Sequence, residues 1–248
     1  MSPSVRSLRR RLALPAPDGV FAEDEIADVH PAVARYFRAA IEPGTPLAQA
    51  ALLTIRGSIR LKSKWLPFSS EEVLAPLHGF VWEARVSGGI RGSDSFVDGE
   101  GRMSWRLGGV VPVASASGPN VSRSAAGRAA GESAWLPTAV LPRFGVEWTP
   151  GGDDLLFARF SVADEPMELL HTVGDDGLLR SVTFDRVGDP DGVGEFALLP
   201  FGLEVTEHGT FDGLTIPTSG EVGWHHGTDR WDEGRFFRYT ISDLRLVR

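Results

Sequence analysis

The sequence predicts an α+β fold that is mostly β, in which an antiparallel sheet packs on one or two helices. Three observations predict it: one early segment with helical spacing, many segments with a period of two, and a central alanine-rich helix between two groups of strands. The chain has 248 residues, of which 42% are hydrophobic, enough for a sizeable core. We find no linker or break in composition. We therefore expect a flexible N-terminal tail over residues 1–25 and a single domain over 26–248.

The early helix lies in the segment DVHPAVARYFRAAIEPG. Pro31 is near its start, and Val33, Phe37 and Ile41 recur at helical spacing. The Pro-Gly pair at 43–44 ends it.

The segments that follow alternate apolar and polar residues. A strand is predicted in the segment SIRLKSKW, with Ile59 and Leu61 on its apolar face. A second is predicted in GFVWEARVSG, with Trp82 on the apolar face and Val81 on the wetted face. A third is predicted in GRMSWRLGG, with Trp105 on its apolar face. One wetted face per strand is typical of antiparallel sheets. Further strands are predicted in the segments LLFARFSV, MELLHTV, LLRSVTFDRVG, FGLEVTEHGTFDGLTIPTSGEVGWHHG and RFFRYTISDLRLV.

The central helix is predicted from about Ser122 to Leu141, with Pro137 kinking it or ending its first part. Its alanines at 126, 130 and 134 recur every four residues on one side. Because alanine has so small a side chain, this face can approach a sheet closely.

Five segments carry a resemblance to a known family: HPAVARYFRAAI, GFVWEARV, the D-x-F-x-x-G-x-G-R-M run that begins at residue 94, GESAWLPTAVL and GLTIPTSGEVGW. With them, the chain from about 30 to 246 resembles a bacterial family of domains of unknown function. That family's fold is similar to the half-barrel of lipoprotein-localisation carriers. The resemblance implies a strongly curved antiparallel sheet, open on one side, that wraps around one or two helices and leaves an apolar groove. It implies no established chemistry.

Composition excludes several classes of function. The net charge of −8 argues against a nucleic-acid partner, which needs clustered positive charge. Cysteine is absent, so disulfides, zinc thiolates and cysteine nucleophiles are excluded. The apolar run after the N-terminal arginines is too short for an export signal, and no stretch approaches the roughly 18 apolar residues of a membrane span. We expect a cytoplasmic protein with no cofactor and no metal; its oligomeric state is left open.

Glu132 is the first candidate catalytic residue, since it is an acid among alanines and glycines. One interpretation is an exposed ion pair with Arg128, one turn earlier. The other is that Glu132 projects into the groove between helix and sheet, where it would lose hydration unless an arginine pairs with it. Such a carboxyl is suited to proton transfer or to orienting a ligand.

His171 is the second candidate, because it shares an apolar strand face with Met167, Leu169 and Val173. An imidazole on that face could act as a general acid or base in a pocket. The alternative is a core histidine satisfied by a backbone carbonyl.

Candidate ligand-binding residues are mostly aromatic. The chain has seven tryptophans, and they either fill the hollow of a curved sheet or partly line an apolar pocket. Two arginines and one further acid would add polar groups, although Asp94 could instead close a turn and Arg186 could lie at a strand end. The full candidate set is Trp82, Asp94, Trp105, Arg128, Trp135 and Arg186.

Three classes of function follow. The first is binding of a hydrophobic small molecule, of lipid, polyketide or terpenoid type, in a Trp-lined cavity. The second is a cofactor-independent isomerase, cyclase or lyase that acts on such a ligand, with Glu132 or His171 moving a proton. The third is a structural or partner-binding protein whose groove receives a peptide or helix.

Overall fold

The computed structural model describes residues 4–152 and 154–248. Within these residues four helices and thirteen strands follow one another, with short 3₁₀ turns at Glu23–Ile26, Glu132–Trp135, Pro137–Val140 and Pro142–Phe144. In chain order the helices and strands are α1 (Val5–Leu12), α2 (Pro31–Ala40), β1 (Ala51–Leu61), β2 (Lys64–Ala75), β3 (Gly79–Val86), β4 (Ile90–Val97), β5 (Glu100–Leu107), β6 (Val111–Ser117), α3 (Pro119–Gly131), β7 (Glu147–Pro150), β8 (Leu155–Val162), β9 (Glu165–Val173), β10 (Leu179–Gly188), β11 (Ala197–Phe211), β12 (Leu214–Trp224), α4 (Trp231–Gly234) and β13 (Arg235–Leu246).

All thirteen strands form one antiparallel sheet in the order β6-β5-β4-β3-β2-β1-β13-β12-β11-β10-β9-β8-β7. Almost every strand pairs with its neighbour in sequence, as hairpin connections require. The exception is the pairing of the first strand with the last, which joins the two halves of the sheet. The order begins at β6 and ends at β7, so the sheet is open. The predicted mostly-β half-barrel is confirmed.

Helix α3 shows how strongly the sheet curves. It contacts both β5 and β10, which are eight steps apart in the strand order. In a flat sheet that separation would be about 38 Å at roughly 4.8 Å a step, whereas a helix with its side chains is only about 10 Å across. Ser122 of α3 accepts a hydrogen bond from the backbone N–H of Gly101 in β5, and Arg186 of β10 donates to the carbonyl of Ser124. The sheet therefore wraps around this helix.

The predicted alanine face of α3 is buried as expected, with Ala126 and Ala130 fully covered. The length predicted for this helix is wrong. Its α-helical part ends at Gly131, and the chain continues to Phe144 in three 3₁₀ turns. Two of those turns begin at prolines, which have no N–H to continue an α-helical ladder. Glu132 is thus the C-cap of α3 rather than a residue within it.

Part of the segment over residues 1–25, which was predicted to be a flexible tail, is helical. Within the described residues, Val5–Leu12 forms helix α1, whose Leu8 and Leu12 pack on the outer face of the sheet beside Val81. Residues 1–3 of the predicted tail lie outside the described residues. The same contact corrects the predicted wetted face of β3: Val81 is fully buried because α1 covers it.

One predicted strand is a hairpin. The segment SIRLKSKW contains the end of β1, a turn at residues 62–63, and the start of β2, with Leu61 paired to Lys64. Lys62 adopts a φ of 58° there, a conformation that favours glycine or asparagine. Because neither residue is present, the turn has no signal in the sequence.

The early helix is confirmed as α2. Its Tyr36 and Phe37 are buried, and their rings lie 5.5 and 5.2 Å from that of Trp148. This aromatic cluster fills one part of the space on the concave side of the sheet. The other part lies between α3 and the strands around it. No helix among the described residues is both long and apolar enough to cross a bilayer.

Candidate functional site

A cavity of about 170 Å³ lies between the C-terminal end of α3 and the concave face of the sheet. Strands from both halves of the sheet, including β4 and β10–β13, contribute to its wall. Most of the lining is apolar, and its aromatic members are Trp82, Trp135, Phe184, Phe201, Phe236 and Phe237. Four charged side chains complete the wall: Asp94, Arg128, Glu132 and Arg186. The cavity is therefore a largely apolar space with a few charged groups at defined positions.

Arg128 contacts three carboxylates. Its Nε donates to Oε1 of Glu132 over 2.7 Å, Nη2 donates to Oε1 of Glu72 over 3.2 Å, and Nη1 donates to Oδ2 of Asp94 over 3.4 Å. Its side chain is 18% exposed, and the side chain of Glu72 is fully buried. These contacts raise the pKa of Arg128 against the opposing effect of its burial. The guanidinium is thus permanently charged and fully engaged.

Aromatic rings fix the same guanidinium from the side of the sheet. Its central carbon lies 4.2 Å from the ring centroid of Phe80 and 4.9 Å from that of Trp82. A cation above an aromatic face is attracted by the ring quadrupole, more strongly where water is excluded. The position of Arg128 is therefore set by packing as well as by charge.

Glu72 is the acid of this cluster whose surroundings most oppose its ionisation. Burial raises the pKa of Glu72 well above its ordinary value, the negative charge of Glu132 raises it further, and the opposing effect of Arg128 is smaller. Among the described residues, the second carboxyl oxygens of Glu72 and Glu132 have no donor, and the two side chains are close enough to share a hydrogen bond. Such a bond between carboxyls needs one proton, and Glu72 is placed to supply it. Among the described residues, Glu132 and Asp94 form their ion pairs with Arg128.

Sequence analysis missed Glu72. It lies on β2 on the same face as Phe68, Ser70 and Leu74, all of which are buried. The sequence contains one signal that could have found it: Glu72 is two residues from Ser70 and from Leu74, so it shares their face of the strand. Glu72 stands next to Glu71, which is exposed on the opposite face of the strand, and two adjacent acids are typical of a solvent-exposed segment.

Asp94 is held by two donors rather than by a turn. Trp105 Nε1 donates to Oδ1 over 2.9 Å, and Arg128 approaches the other oxygen. Burial raises the pKa of Asp94, and the charge of Arg128 and the Trp105 hydrogen bond act in the opposite direction. Trp105 itself is not part of the cavity lining; its ring packs 5.6 Å from Trp82 and orients the acid from behind.

Arg186 is in a different situation from Arg128. Its Nε donates to the carbonyl of Ser124 over 3.0 Å, and Nη2 lies 3.4 Å from the hydroxyl of the same serine. In residues 4–152 and 154–248, no carboxylate oxygen lies within the 4.0 Å of an ion pair with this guanidinium. Arg186 is therefore a cation on the cavity wall without a paired anion.

Of the eight side chains predicted as site residues, the fold brings six to one cavity: Trp82, Asp94, Arg128, Glu132, Trp135 and Arg186. Both interpretations of Glu132 hold in part. It forms the i,i+4 pair with Arg128, but the pair is buried against the cavity rather than exposed. The roles of these six residues stay predictions.

His171 does not belong to this cavity. It is 1% exposed and lies in the other part of the hollow, where its ring is 5.1 Å from that of Trp148 and 6.0 Å from that of Tyr36. Burial lowers the pKa of His171 to about 4, more than the backbone hydrogen bond at Leu169 raises it. The prediction that it faces the same pocket as Glu132 is wrong, because α2 covers its strand face at that point.

Residues 19–236 match the family model of DUF6544, a family of unknown function. The chain belongs to this family. The family resemblance predicted from the sequence is confirmed. No curated protein matches the sequence.

Solved structures similar to this DUF6544 member share little sequence with it. A DUF1329 family protein from Desulfovibrio piger has 14% identity and a TM-score of 0.46, over 88% of this chain and 94% of that one. A LolA superfamily protein from Nitrosomonas europaea has 10% identity and a TM-score of 0.44, over 80% and 86%. A putative outer membrane lipoprotein-sorting protein domain from Vibrio parahaemolyticus has 11% identity and a TM-score of 0.38, over 79% and 85%. The function of the DUF6544 member is therefore inferred from its own cavity.

The cavity of the DUF6544 member does not have the donor set of a metal centre. Within the part of the chain that the structure describes, no group of three or more acidic or histidine side chains is arranged to hold a metal ion. The three carboxylates that do converge surround a guanidinium, which occupies the place a cation would take. Chemically, the arrangement can enclose an apolar molecule and present a few fixed charges to it.

Proposed function

We propose that the protein binds a hydrophobic small molecule, of lipid, polyketide or terpenoid type, in the cavity between α3 and the sheet. The observation that carries this proposal is the cavity itself, about 170 Å³ in volume and lined largely by aromatic and aliphatic side chains. Ligand sites in proteins are concave and mostly apolar, with a small number of placed polar groups. A sheet that is curved only to form a core would have no need of this space.

The volume constrains the ligand. Sites for drug-sized molecules measure roughly 300–1,000 Å³, so a space of about 170 Å³ suits a compact ring system or a slender chain. We expect the apolar body of the ligand to contact Phe184, Phe236 and Phe237. Each aromatic ring offers a large apolar surface at little cost in conformational entropy.

The carboxylate cluster supports the same role. Arg128 pairs with Glu132 and Asp94 within hydrogen-bonding distance, and burial raises the pKa of Glu72, the third acid beside it. At this part of the wall an apolar ligand meets charges that are already paired, so its binding there does not strip water from an isolated ion.

A matched pair of variants tests the proposal. Leu203 lines the cavity and is 6% exposed, whereas Leu198, on the same strand, is 61% exposed. In Leu203→Trp the indole should fill the cavity, and the same substitution at Leu198 should leave the cavity open. Native mass spectrometry should find hydrophobic molecules bound to the wild type and to Leu198→Trp.

Leu203→Trp, when folded, should carry much less of the same molecules. Equal loading of all three proteins would refute the proposed site. So would the absence of any bound species together with failure of the wild type to bind added fatty acids, fatty alcohols or terpenoids.

A cofactor-independent enzyme is the second candidate, and one observation favours it. Asp94 and Glu132 both lie on the cavity wall, and burial raises the pKa of Asp94, which suits a group that transfers protons. An enzyme would convert the co-purified molecule, so extracts incubated with protein would contain a product of equal or lower mass. Glu132→Gln would then retain binding and lose conversion, whereas a binding protein would return the molecule unchanged. The third class, a groove for a peptide or helix, has no comparable observation in its favour.

A further inference from the structure

Arg186 is the one cation on the cavity wall that faces no carboxylate partner within the described residues. Its backbone hydrogen bond to Ser124 and the approach to the serine hydroxyl occupy Nε and part of Nη2. Neither contact neutralises its charge. Arg128, on the same wall, has three carboxylates within 3.4 Å. Of the two arginines on the cavity wall, Arg128 is thus already paired with carboxylates, whereas Arg186 can still pair with an anion.

The side chain of Arg186 is held in place by packing on two sides. Its guanidinium carbon lies 4.5 Å from the ring centroid of Phe201 and 5.2 Å from that of Trp224. From the other side α3 presses on its aliphatic stem: a Cβ at Gly127 would be 2.9 Å from Cγ of Arg186. The side chain is thus held between rings and a helix, and it forms part of the cavity wall.

The charge of this arginine is costly where it lies. Burial and, after it, the neighbouring positive charge of Arg128 lower the pKa of Arg186 to about 9, although the charges of Glu132 and Asp94 act in the opposite direction. A guanidinium nevertheless stays protonated at neutral pH. A buried charge is stabilised chiefly by a partner of opposite sign. An anion brought by the ligand would supply that partner.

We propose that the ligand is an amphiphile with a single compact anionic group, a carboxylate, that pairs with Arg186 while its apolar body occupies the aromatic part of the cavity. This inference rests on the proposed function and narrows it from any hydrophobic molecule to an acid. Arg186 presents a planar pair of N–H donors, the geometry that carboxylate and phosphate oxygens match. One unpaired arginine favours the singly charged carboxylate over a doubly charged phosphate monoester.

Calorimetric titration with matched probes tests the inference. Octanoate, decanoate and laurate are compared with octanol, decanol and dodecanol, and decyl phosphate distinguishes the two kinds of anion. A hydrogen-bonded charge pair contributes about 1.5–3 kcal/mol, so the wild type should bind at least one acid about tenfold more tightly than its alcohol. It should also prefer that acid to the phosphate.

Three variants locate the effect. Arg186→Met should abolish the preference for the acid and leave binding of the alcohol unchanged or tighter. Arg186→Lys should keep part of the preference, because the charge remains and the bidentate geometry is lost. Arg123→Met is the matched control: it removes an exposed arginine of α3 that pairs with Glu165, and it should bind like the wild type.

A measurement on the unaltered protein guards against a variant that fails to fold. With carboxyl-labelled decanoate, the carbon-13 resonance reports the pKa of the bound carboxyl group. Pairing with Arg186 should lower that pKa below the value of the free acid, and an apolar site without a cation should raise it. A raised pKa, or equal affinity for acid and alcohol, overturns the inference and leaves the proposed function intact. If the wild type binds neither acids nor alcohols of any length, nor other apolar probes, the proposed function fails as well.

Discussion

Oε1 of Glu72, a carboxyl group with no exposure to solvent, lies 3.2 Å from Nη2 of Arg128. The two residues come from β2 and α3, which are far apart in sequence, and their contact ties the helix to the centre of the sheet. Around this contact the protein places two further acids, Asp94 and Glu132. The resulting cluster is both a structural element and a wall of the cavity, so its charges should be measurable in stability and in pH dependence.

Loss of Arg128 should destabilise the protein strongly. Arg128→Met leaves three buried carboxyl groups without their common cation, and removing one partner of a buried ion pair typically costs about 3–5 kcal/mol. Urea unfolding at neutral pH should show that loss. Arg159→Met, which breaks an exposed pair with Glu168, should cost less than about 1 kcal/mol. Adding Glu132→Gln to Arg128→Met should restore part of the stability, because it removes a negative charge that has lost its partner. A deeper loss in the double variant would contradict the pairing of Glu132 with Arg128.

Replacement of Glu72 should change the pH dependence of stability. The folded-state pKa of Glu72 is raised above its ordinary value of 4.5, so between these two values the folded chain binds more protons than the unfolded chain. Wild-type stability contributed by this group therefore falls as pH rises through that window. Glu72→Gln should remove the fall and be at least as stable as the wild type at neutral pH.

The control for that prediction is the neighbouring acid. Glu71→Gln changes an exposed side chain on the opposite face of β2 and should leave the pH profile as it is. If Glu72→Gln were less stable than the wild type by more than about 2 kcal/mol at neutral pH, an ionised Glu72 would be the correct assignment.

His171 should make the protein sensitive to acid. Burial lowers its folded-state pKa from 6.5 to about 4, so the unfolded chain binds the proton first as pH falls. Stability from this group is present above pH 6.5 and is lost as pH falls towards 4, by an amount on the order of 3 kcal/mol. His171→Leu should reduce that loss, as measured by urea unfolding at pH 7 and pH 4.5. An unchanged difference between the two pH values would show that His171 is already protonated or exposed.

The alanine face of α3 should not tolerate larger side chains. Ala130 has no exposure to solvent, and extra methylene groups in a packed core cost about 1–3 kcal/mol. Ala130→Met should lower the free energy of unfolding by that amount. Asn120→Met, at an exposed position of the same helix, should change it by less than about 0.5 kcal/mol. Equal effects at the two positions would show that α3 is not pressed onto the sheet.

The regular parts of the fold were predictable because one local pattern determined each of them. Alternation of apolar and polar residues located most strands, and proline, helical spacing and a Pro-Gly stop located α2. The elements that were missed depend on contacts distant in sequence. The sequence of helix α1 is typical of a charged tail, and its helical structure depends on the packing of Leu8 and Leu12 against the outer face of the sheet. The turn at Lys62 contains neither glycine nor asparagine, the residues by which such a turn is usually predicted.

The same reason explains which site residues were found. Arg128 and Glu132 are one helical turn apart, so their pairing could be predicted. That Glu72 joins them, and that His171 does not, depends on how far the sheet curves around α3 and on where α2 covers it. Curvature of this kind is the sum of small twists over many strands, and no single segment encodes it.

Strand β13 joins β1 to β12, so the last of the described strands in chain order lies at the middle of the sheet. Without β13, the pairings of β1–β6 and of β7–β12 would be two separate half-sheets, each with an unpaired edge. Phe236 and Phe237, which lie on that strand, also belong to the cavity wall. The cavity wall is therefore complete only when β13 has paired with both halves of the sheet.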